Sequence, residues 1–241
     1  MNKLEQLNQL IKDANKIVFF GGAGVSTASG IKDFRSKDGL YHEKYKYPPE
    51  EILSHTFFIH HKEDFYQFYR DKLNCLNALP NICHTYLTKL EQSKKLNAVI
   101  TQNIDGLHQK ANTKNILELH GSIYRNYCMS CHKFYPPEKI FQEKKIPTCT
   151  CGNTIKPDVV LYEEPLDKEV ISKSIKAIEN ADLLLVVGTS LTVYPASSFI
   201  RYFNGPNLVI INKDTTPMDN LATLVINNDI KEVFTYLDKN L

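Results

Sequence analysis

No stretch of this 241-residue chain approaches the roughly 20 consecutive apolar residues needed to cross a bilayer. A secretory leader is not expected either. Leu4, Leu7, Leu10 and Ile11 recur at helical spacing with charges between them, so residues 1–14 read as an amphipathic helix, and a cytoplasmic location is expected. No sign of charge dominates: 29 Lys and Arg face 27 Asp and Glu, for a net charge of +2. The lysines are scattered, which argues against a nucleic-acid or membrane partner. Low-complexity tracts and internal repeats are absent. The six cysteines do not form a disulfide framework either. Four lie between Cys128 and Cys151, while Cys75 and Cys83 stand apart in helical surroundings. In a cytosolic protein such clustered pairs read as metal ligands.

What is present is an alternation of strand and helix patterns. Strands are expected at 16–20, 96–101, 116–119, 157–161, 182–187, 207–211 and 222–226. Helices are expected near 3–14, 50–60, 62–74, 80–93, 167–179, 196–203 and 229–239. Runs such as Leu183-Leu184-Leu185-Val186-Val187 are apolar on both faces, as parallel strands covered by helices should be. The expected fold is α/β, with a doubly wound, parallel, Rossmann-like sheet. Residues 1–31, 79–121 and 157–241 are assigned to it. Two inserts interrupt it: a loop and helical segment at 32–78, and a lysine-rich segment at 122–156 that holds the clustered cysteines.

Cys128 and Cys131 form a C-x-x-C pair, and Cys149 and Cys151 form a C-x-C pair. Two knuckles supplying four thiolates suit zinc in tetrahedral geometry. Four protein ligands leave no open position, so the zinc is expected to be structural. His132 beside the first knuckle is then not needed as a ligand.

The turn Gly21-Gly22-Ala23-Gly24-Val25-Ser26 follows the strand pattern Ile17-Val18-Phe19-Phe20. Glycines there allow a backbone to approach a pyrophosphate, with the next helix N-terminus favouring its charge. A tight strand-to-helix turn without a ligand gives the same pattern. The dehydrogenase fingerprint is not met. Thr27 occupies the third glycine position, and no carboxylate stands at a second strand end roughly 20 residues on. Further polar punctuation follows two other strands, at Thr101-Gln102-Asn103-Ile104-Asp105-Gly106-Leu107-His108 and at His120-Gly121. Three loops at strand ends point to one shared site.

With these pieces on view, the chain resembles the sirtuins, NAD-dependent protein-lysine deacylases. The resemblance rests on Gly22-Ala23-Gly24-Val25-Ser26-Thr27 with Ser29-Gly30-Ile31, on Asp33-Phe34-Arg35, and on Thr101-Gln102-Asn103-Ile104-Asp105. His120-Gly121, the four cysteines, Lys156-Pro157-Asp158-Val159-Val160, Gly188-Thr189-Ser190-Leu191 and Ile211-Asn212 complete it, in family order over nearly the whole chain. It implies removal of acetyl or other acyl groups from protein lysines, with NAD as co-substrate. The products would be lysine, nicotinamide and an acylated ADP-ribose. The implied catalytic residues are His120 as general base, Asn103 and Asp105. Phe34, Ile104 and Asp105 would receive the nicotinamide, and Gln102 would contact the ribose near His120. Ala23, Thr27 and Arg35 would meet the phosphates and neighbouring ribose. Gly188, Thr189, Ser190, Asn212 and Lys213 would line the diphosphate and adenosine side. Asp229 would reach adenine or else cap the last helix.

An acylated-lysine peptide is expected to add as a strand between the two lobes, against Val159, Tyr162 and Glu163, and a monomer is expected. Several residues depart from the family pattern. Tyr162-Glu163-Glu164 stands where Phe-Gly-Glu is usual, which adds a negative charge near the substrate. Lys32 replaces a proline, so a more flexible cofactor loop is expected. Sirtuins preferring succinyl or malonyl groups carry Tyr-x-x-Arg, whereas Tyr66 and Arg70 here are four apart, and the aromatic surroundings favour an apolar channel and acetyl. The alternative on the same scaffold is a protein mono-ADP-ribosyltransferase, which the Asn103, Asp105 and His120 set disfavours.

Overall fold

In the computed structural model the described residues are 1–34, 36, 39–42 and 45–241, His42 by its backbone alone. Nine strands run through them: β1 (Ile17–Gly21), β2 (Leu96–Thr101), β3 (Ile116–Glu118), β4 (Gly121–Cys128), β5 (Phe134–Tyr135), β6 (Ile155–Val159), β7 (Leu183–Val187), β8 (Asn207–Ile211) and β9 (Leu224–Ile226). Six of them form a sheet in the order β3-β2-β1-β7-β8-β9, every pair parallel. The order reverses between β1 and β7. In such sheets the crevice at that switch point, beyond the carboxyl ends of the strands, is where ligands bind.

The apolar runs are buried on both faces because alternate residues serve different cores. Ile17 and Phe19 pack with α1 (Lys3–Asp13), α5 (Ile82–Gln92) and α9 (Ile230–Lys239). Val18 and Phe20 pack on the opposite side, with α8 (Lys168–Glu179) and the 3-10 segment Ala196–Tyr202. Polar caps set where these helices start. Asn2 makes a reciprocal capping box with Glu5 at α1, and Asp167 accepts from the Val170 amide at α8.

β4, β5 and β6 make a separate antiparallel sheet. Its core is shared with the helical insert, α2 (Pro49–Ile52), α3 (His55–His60) and α4 (Lys62–Lys72). Phe57, Phe58, Phe65 and Tyr69 pack in one cluster with Ile123, Ile140, Ile155 and the cysteines Cys128 and Cys149. The two inserts are therefore one lobe. The strand expected at 157–161 within the parallel sheet lies at Ile155–Val159 and pairs antiparallel with β4 instead. β4 itself was not expected, since its alternation is broken by a register shift between Ser122 and Asn126. The helix expected over 50–60 is split, because Ser54 begins a new one by accepting from the Phe57 amide at 3.1 Å.

Tyr66 and Arg70 both bond within this lobe. The buried Tyr66 hydroxyl donates to the Ile155 carbonyl. Arg70 Nε donates to the Ile140 carbonyl at 2.8 Å, in α7 (Glu138–Phe141), and a second guanidinium nitrogen donates to Lys145. The four-residue spacing puts both on one face of α4, and that face is spent on holding the cysteine segment.

Candidate active site

Where the parallel sheet reverses, two turns meet backbone to backbone. A Cβ on Gly22 would fall 2.7 Å from Thr189 Cβ, and one on Gly24 2.8 Å from Gly188 Cα. Gly188 itself has φ 62°, which favours glycine. Hydrogen bonds from Gly24 N to the Gly188 carbonyl and from Gly188 N to Ile211 continue the join. The floor of the crevice is thus bare backbone, the surface that a diphosphate requires. Ala23 starts the segment that follows, a 3-10 helix over Ala23–Ser29. Thr27 is exposed, with its hydroxyl donating to the Gly24 carbonyl at 3.0 Å. Ser190 pairs with Thr192 through their hydroxyls, Asn212 donates to the Asp214 carbonyl, and Lys213 is exposed. Asp229 caps α9 by accepting from the Lys231 amide at 2.8 Å. Phe34 is half-buried, and Arg35 lies outside the described residues.

The loop after β2 is folded onto this floor. Gln102 Nε2 donates to Thr189 Oγ1 at 3.1 Å. Asn103 Nδ2 reaches the Gly22 carbonyl at 3.0 Å and Ser26 Oγ at 3.1 Å. Ser26 Oγ in turn donates to Asp105 Oδ2 at 2.6 Å, while Asp105 Oδ1 accepts from the Leu107 amide. Asp105 is buried, and burial raises its titration above the ordinary carboxylate range against the pull of these two donors. Ser26 carried no assigned role in the sequence. Its place in the Gly22–Thr27 run was the available sign, and only the folded turn shows that it links Asn103 to Asp105.

His120 sits between the sheet and the small lobe. Its Nδ1 lies 2.9 Å from the Gln102 carbonyl. A carbonyl can only accept, so Nδ1 carries the hydrogen and Nε2 is left as the free acceptor. Burial lowers its titration below the usual imidazole value, opposed by the Gln102 bond. Its own carbonyl accepts from the Val160 amide. Val159 lies opposite Gly121 in the small sheet. Gly121 has φ 77°, and a Cβ there would collide with the Asp158 carbonyl. The imidazole is therefore pinned to the nucleotide-type crevice on one side and to strand β6 on the other.

Beyond β6 the chain turns at Tyr162 and Glu163, both exposed. Glu163 has φ 74°, and its carboxylate accepts from the Thr56 amide and hydroxyl at 2.9 and 2.7 Å. Those donors hold its titration below the ordinary range. Glu164 bonds His55, Lys156 and the Leu161 amide.

The four clustered cysteines converge as expected, their sulfurs all within 4.8 Å of one another. Cys128 and Cys151 are 3.4 Å apart, and Cys131 and Cys149 are 3.5 Å apart. Thiolates on a tetrahedral zinc at ~2.3 Å stand at such separations. Tyr135 Oη donates to Cys149 Sγ, and the Cys151 amide does the same. These donors suit negatively charged sulfurs, and the set fits zinc. His132 is exposed and outside the cluster.

The Sir2 family model matches residues 22–195. The NAD-dependent protein deacetylases of Clostridium acetobutylicum and Clostridium perfringens are 54% identical over 237 residues and 55% identical over 236. The match covers 97% of this chain and 97% of the first relative, and 96% and 97% for the second. Among solved structures, a Sir2 variant with a deacetylated p53 peptide and 3′-O-acetyl-ADP-ribose has a TM-score of 0.91 at 37% identity, covering 99% of this chain and 98% of that one. A Sir2 complex with a p53 peptide and NAD+ has a TM-score of 0.88 at 36% identity over 99% and 98%.

Proposed function

Because this chain belongs to the Sir2 family and is an NAD-dependent protein deacetylase, we propose how its own residues divide that work. Bound NAD supplies an electrophilic ribose carbon once nicotinamide leaves, and the acetylated lysine supplies the amide oxygen that meets it. The acetyl group passes to ADP-ribose, so the enzyme is a transferase.

His120 is the general base. The Gln102 carbonyl fixes its tautomer and turns Nε2 into the proton acceptor, and burial keeps the ring neutral at physiological pH. This one hydrogen bond carries the reading. Asn103 and Asp105 are the other catalytic residues. Asp105, oriented by Ser26 and the Leu107 amide, accepts from the nicotinamide carboxamide, with Phe34 and Ile104 as walls. Asn103, held by Gly22 and Ser26, positions a ribose hydroxyl or water, and Gln102 contacts the same sugar. Ala23, Thr27 and Arg35 serve the phosphates. Gly188, Thr189, Ser190, Asn212 and Lys213 serve the diphosphate and adenosine, and Asp229 reaches adenine while capping α9. The strand order supports this assignment, since all of these except Phe34 and Arg35 follow the carboxyl ends of parallel strands.

Cys128, Cys131, Cys149 and Cys151 hold the zinc, which shapes the small lobe and takes no part in the reaction. Residues 1–31, 79–121 and 157–241 form the NAD-binding part, with β6 reaching from the last segment into the small sheet. The substrate strand pairs along Val159 and the turn at Tyr162 and Glu163. Glu163 keeps its charge while its partners are the neutral groups of Thr56, which supports a mild preference for basic residues flanking the acetyl-lysine. Rates on a peptide array that ignore flanking charge would remove that preference. The setting is the cytoplasm, and the enzyme acts as a monomer; no helix among the described residues is long and apolar enough to cross a membrane.

The test is His120→Ala, with nicotinamide release and loss of the acetyl mass from a lysine peptide as readouts. Turnover should fall by about 10²–10⁴-fold, with zinc content and melting temperature retained. Undiminished turnover overturns the assignment.

A further inference from the structure

We infer that Tyr41 and Tyr162 form a latch through which the substrate strand and the NAD-binding loop sense one another. The inference rests on the proposed roles of Phe34 and of the strand that ends at Tyr162.

The loop side is closed on itself. Leu40 N donates to the Asp33 carbonyl and Tyr41 N to the Phe34 carbonyl, each at 2.9 Å. Asp33 Oδ1 accepts from the Ser36 amide at 2.8 Å. The rings of Phe34 and Tyr41 meet edge to face, with centroids 5.6 Å apart. Gly39 lies so near that an added Cβ would be 2.7 Å from the Phe34 carbonyl carbon. Phe34 and Tyr41 thus stand together at the neck of the loop, and a displacement of one displaces the other.

The strand side is equally fixed. Tyr162 N donates to the Leu53 carbonyl, and His55 N donates to the Tyr162 carbonyl. Tyr162 follows Val159 by three residues on a chain anchored to His120 through the Val160 amide. The two hydroxyls, 121 residues apart in sequence, lie 2.6 Å from each other. Tyr162 is 37% exposed and Tyr41 half-buried.

A peptide pairing along this strand restricts Tyr162. Through the hydroxyl bond it restricts Tyr41, and through the loop neck it restricts Phe34 at the nicotinamide wall. Such coupling is reciprocal, so peptide tightens NAD by the factor with which NAD tightens peptide. One neutral, partly exposed hydrogen bond is worth about two- to twelvefold in that factor. Tyr41 is accordingly a positioning residue, acting through Phe34 and Tyr162.

The experiment is a double-mutant cycle on the full chain with Tyr41→Phe, Tyr162→Phe and the pair. The dissociation constant of a non-cleavable carbocyclic NAD analogue is measured by calorimetry with and without saturating acetyl-lysine peptide. The peptide-dependent gain in affinity should shrink about two- to twelvefold in each single variant, and the double variant should lose no more than one of them. Tyr41→Phe should leave kcat at saturation unchanged and raise the KM for NAD, with any fall in melting temperature limited to the few degrees that one hydrogen bond accounts for. Additive losses, an unchanged gain, or a lowered melting temperature with the gain intact overturn the latch. Wild-type protein that releases no nicotinamide overturns the underlying reading instead, so the two failures are told apart.

Discussion

At the scale of single residues, the histidines separate by what each ring nitrogen meets. His120 has a carbonyl on Nδ1 and a lowered titration caused first by burial. The acid limb of kcat/KM should therefore fall below the ordinary imidazole value of about 6.5. A pH profile with its acid inflection above that value would contradict the buried neutral base. His84 and His108 make a buried pair with ring centroids 4.7 Å apart. His84 accepts from the Asn81 amide in the capping box of α5, and burial pushes it down to about 4. His108 is lowered too, by burial and then by His84. The unfolded chain binds these protons near pH ~6.5, whereas the folded rings refuse them. Stability from the pair is complete above about pH 6.5 and is lost as pH falls toward 4, by on the order of 3 kcal/mol for His84 alone. His84→Gln keeps an acceptor for the cap and removes the titration. Its melting temperature should fall less steeply between those pH values than that of the wild type.

At the scale of elements, the turn after β6 shows a local rule broken and compensated. Glu163 lies at φ 74°, where a side chain is strained and glycine is not. Its carboxylate offsets the strain by taking up the Thr56 amide and hydroxyl in the first turn of α3. Glu163→Ala keeps the strain and loses the bonds, whereas Glu163→Gly loses the bonds and relieves the strain. Melting temperatures should therefore rank wild type highest, then Glu163→Gly, then Glu163→Ala. An alanine variant as stable as the glycine variant would show that the positive φ costs nothing. Arg70 illustrates the same scale. Its helical neighbours place it beside Tyr66, but the carbonyls of Ile140 and Lys145 decide what it does.

At the scale of the whole molecule, the parallel sheet with its covering helices and the small lobe are joined through His120, Gly121 and β6. The small lobe buries Cys128 and Cys149 among Ile140, Ile155 and the aromatics of α3 and α4. Metal there would tie the end of β4 to the segment before β6, and so hold β6, the strand proposed to pair with substrate, in place. Metal analysis should find about one zinc per chain, as a single four-thiolate set binds one ion. Strong chelation, or Cys149→Ser, should abolish deacetylation and lower the melting transition while much of the helix signal remains in the parallel sheet's own core. Full activity after the zinc is gone would contradict a structural metal that positions the substrate.

The parallel sheet was legible in the sequence because runs such as 183–187 are apolar at every position, and only strands covered on both faces look like that. The cysteine spacing and the polar loops after β2 and β3 were legible because their chemistry is local. The placement of β6 was not, since its side-chain pattern is the same whether it pairs with a parallel neighbour or with β4. Nor was the use of Tyr66 and Arg70, or the path from Asn103 through Ser26 to Asp105, because partners far apart in sequence leave no periodic trace. The tautomer of His120 also belongs to the tertiary structure. The chain by itself determines that an imidazole follows β3, but only the return of the β2 loop to within 2.9 Å of it decides which nitrogen keeps its proton.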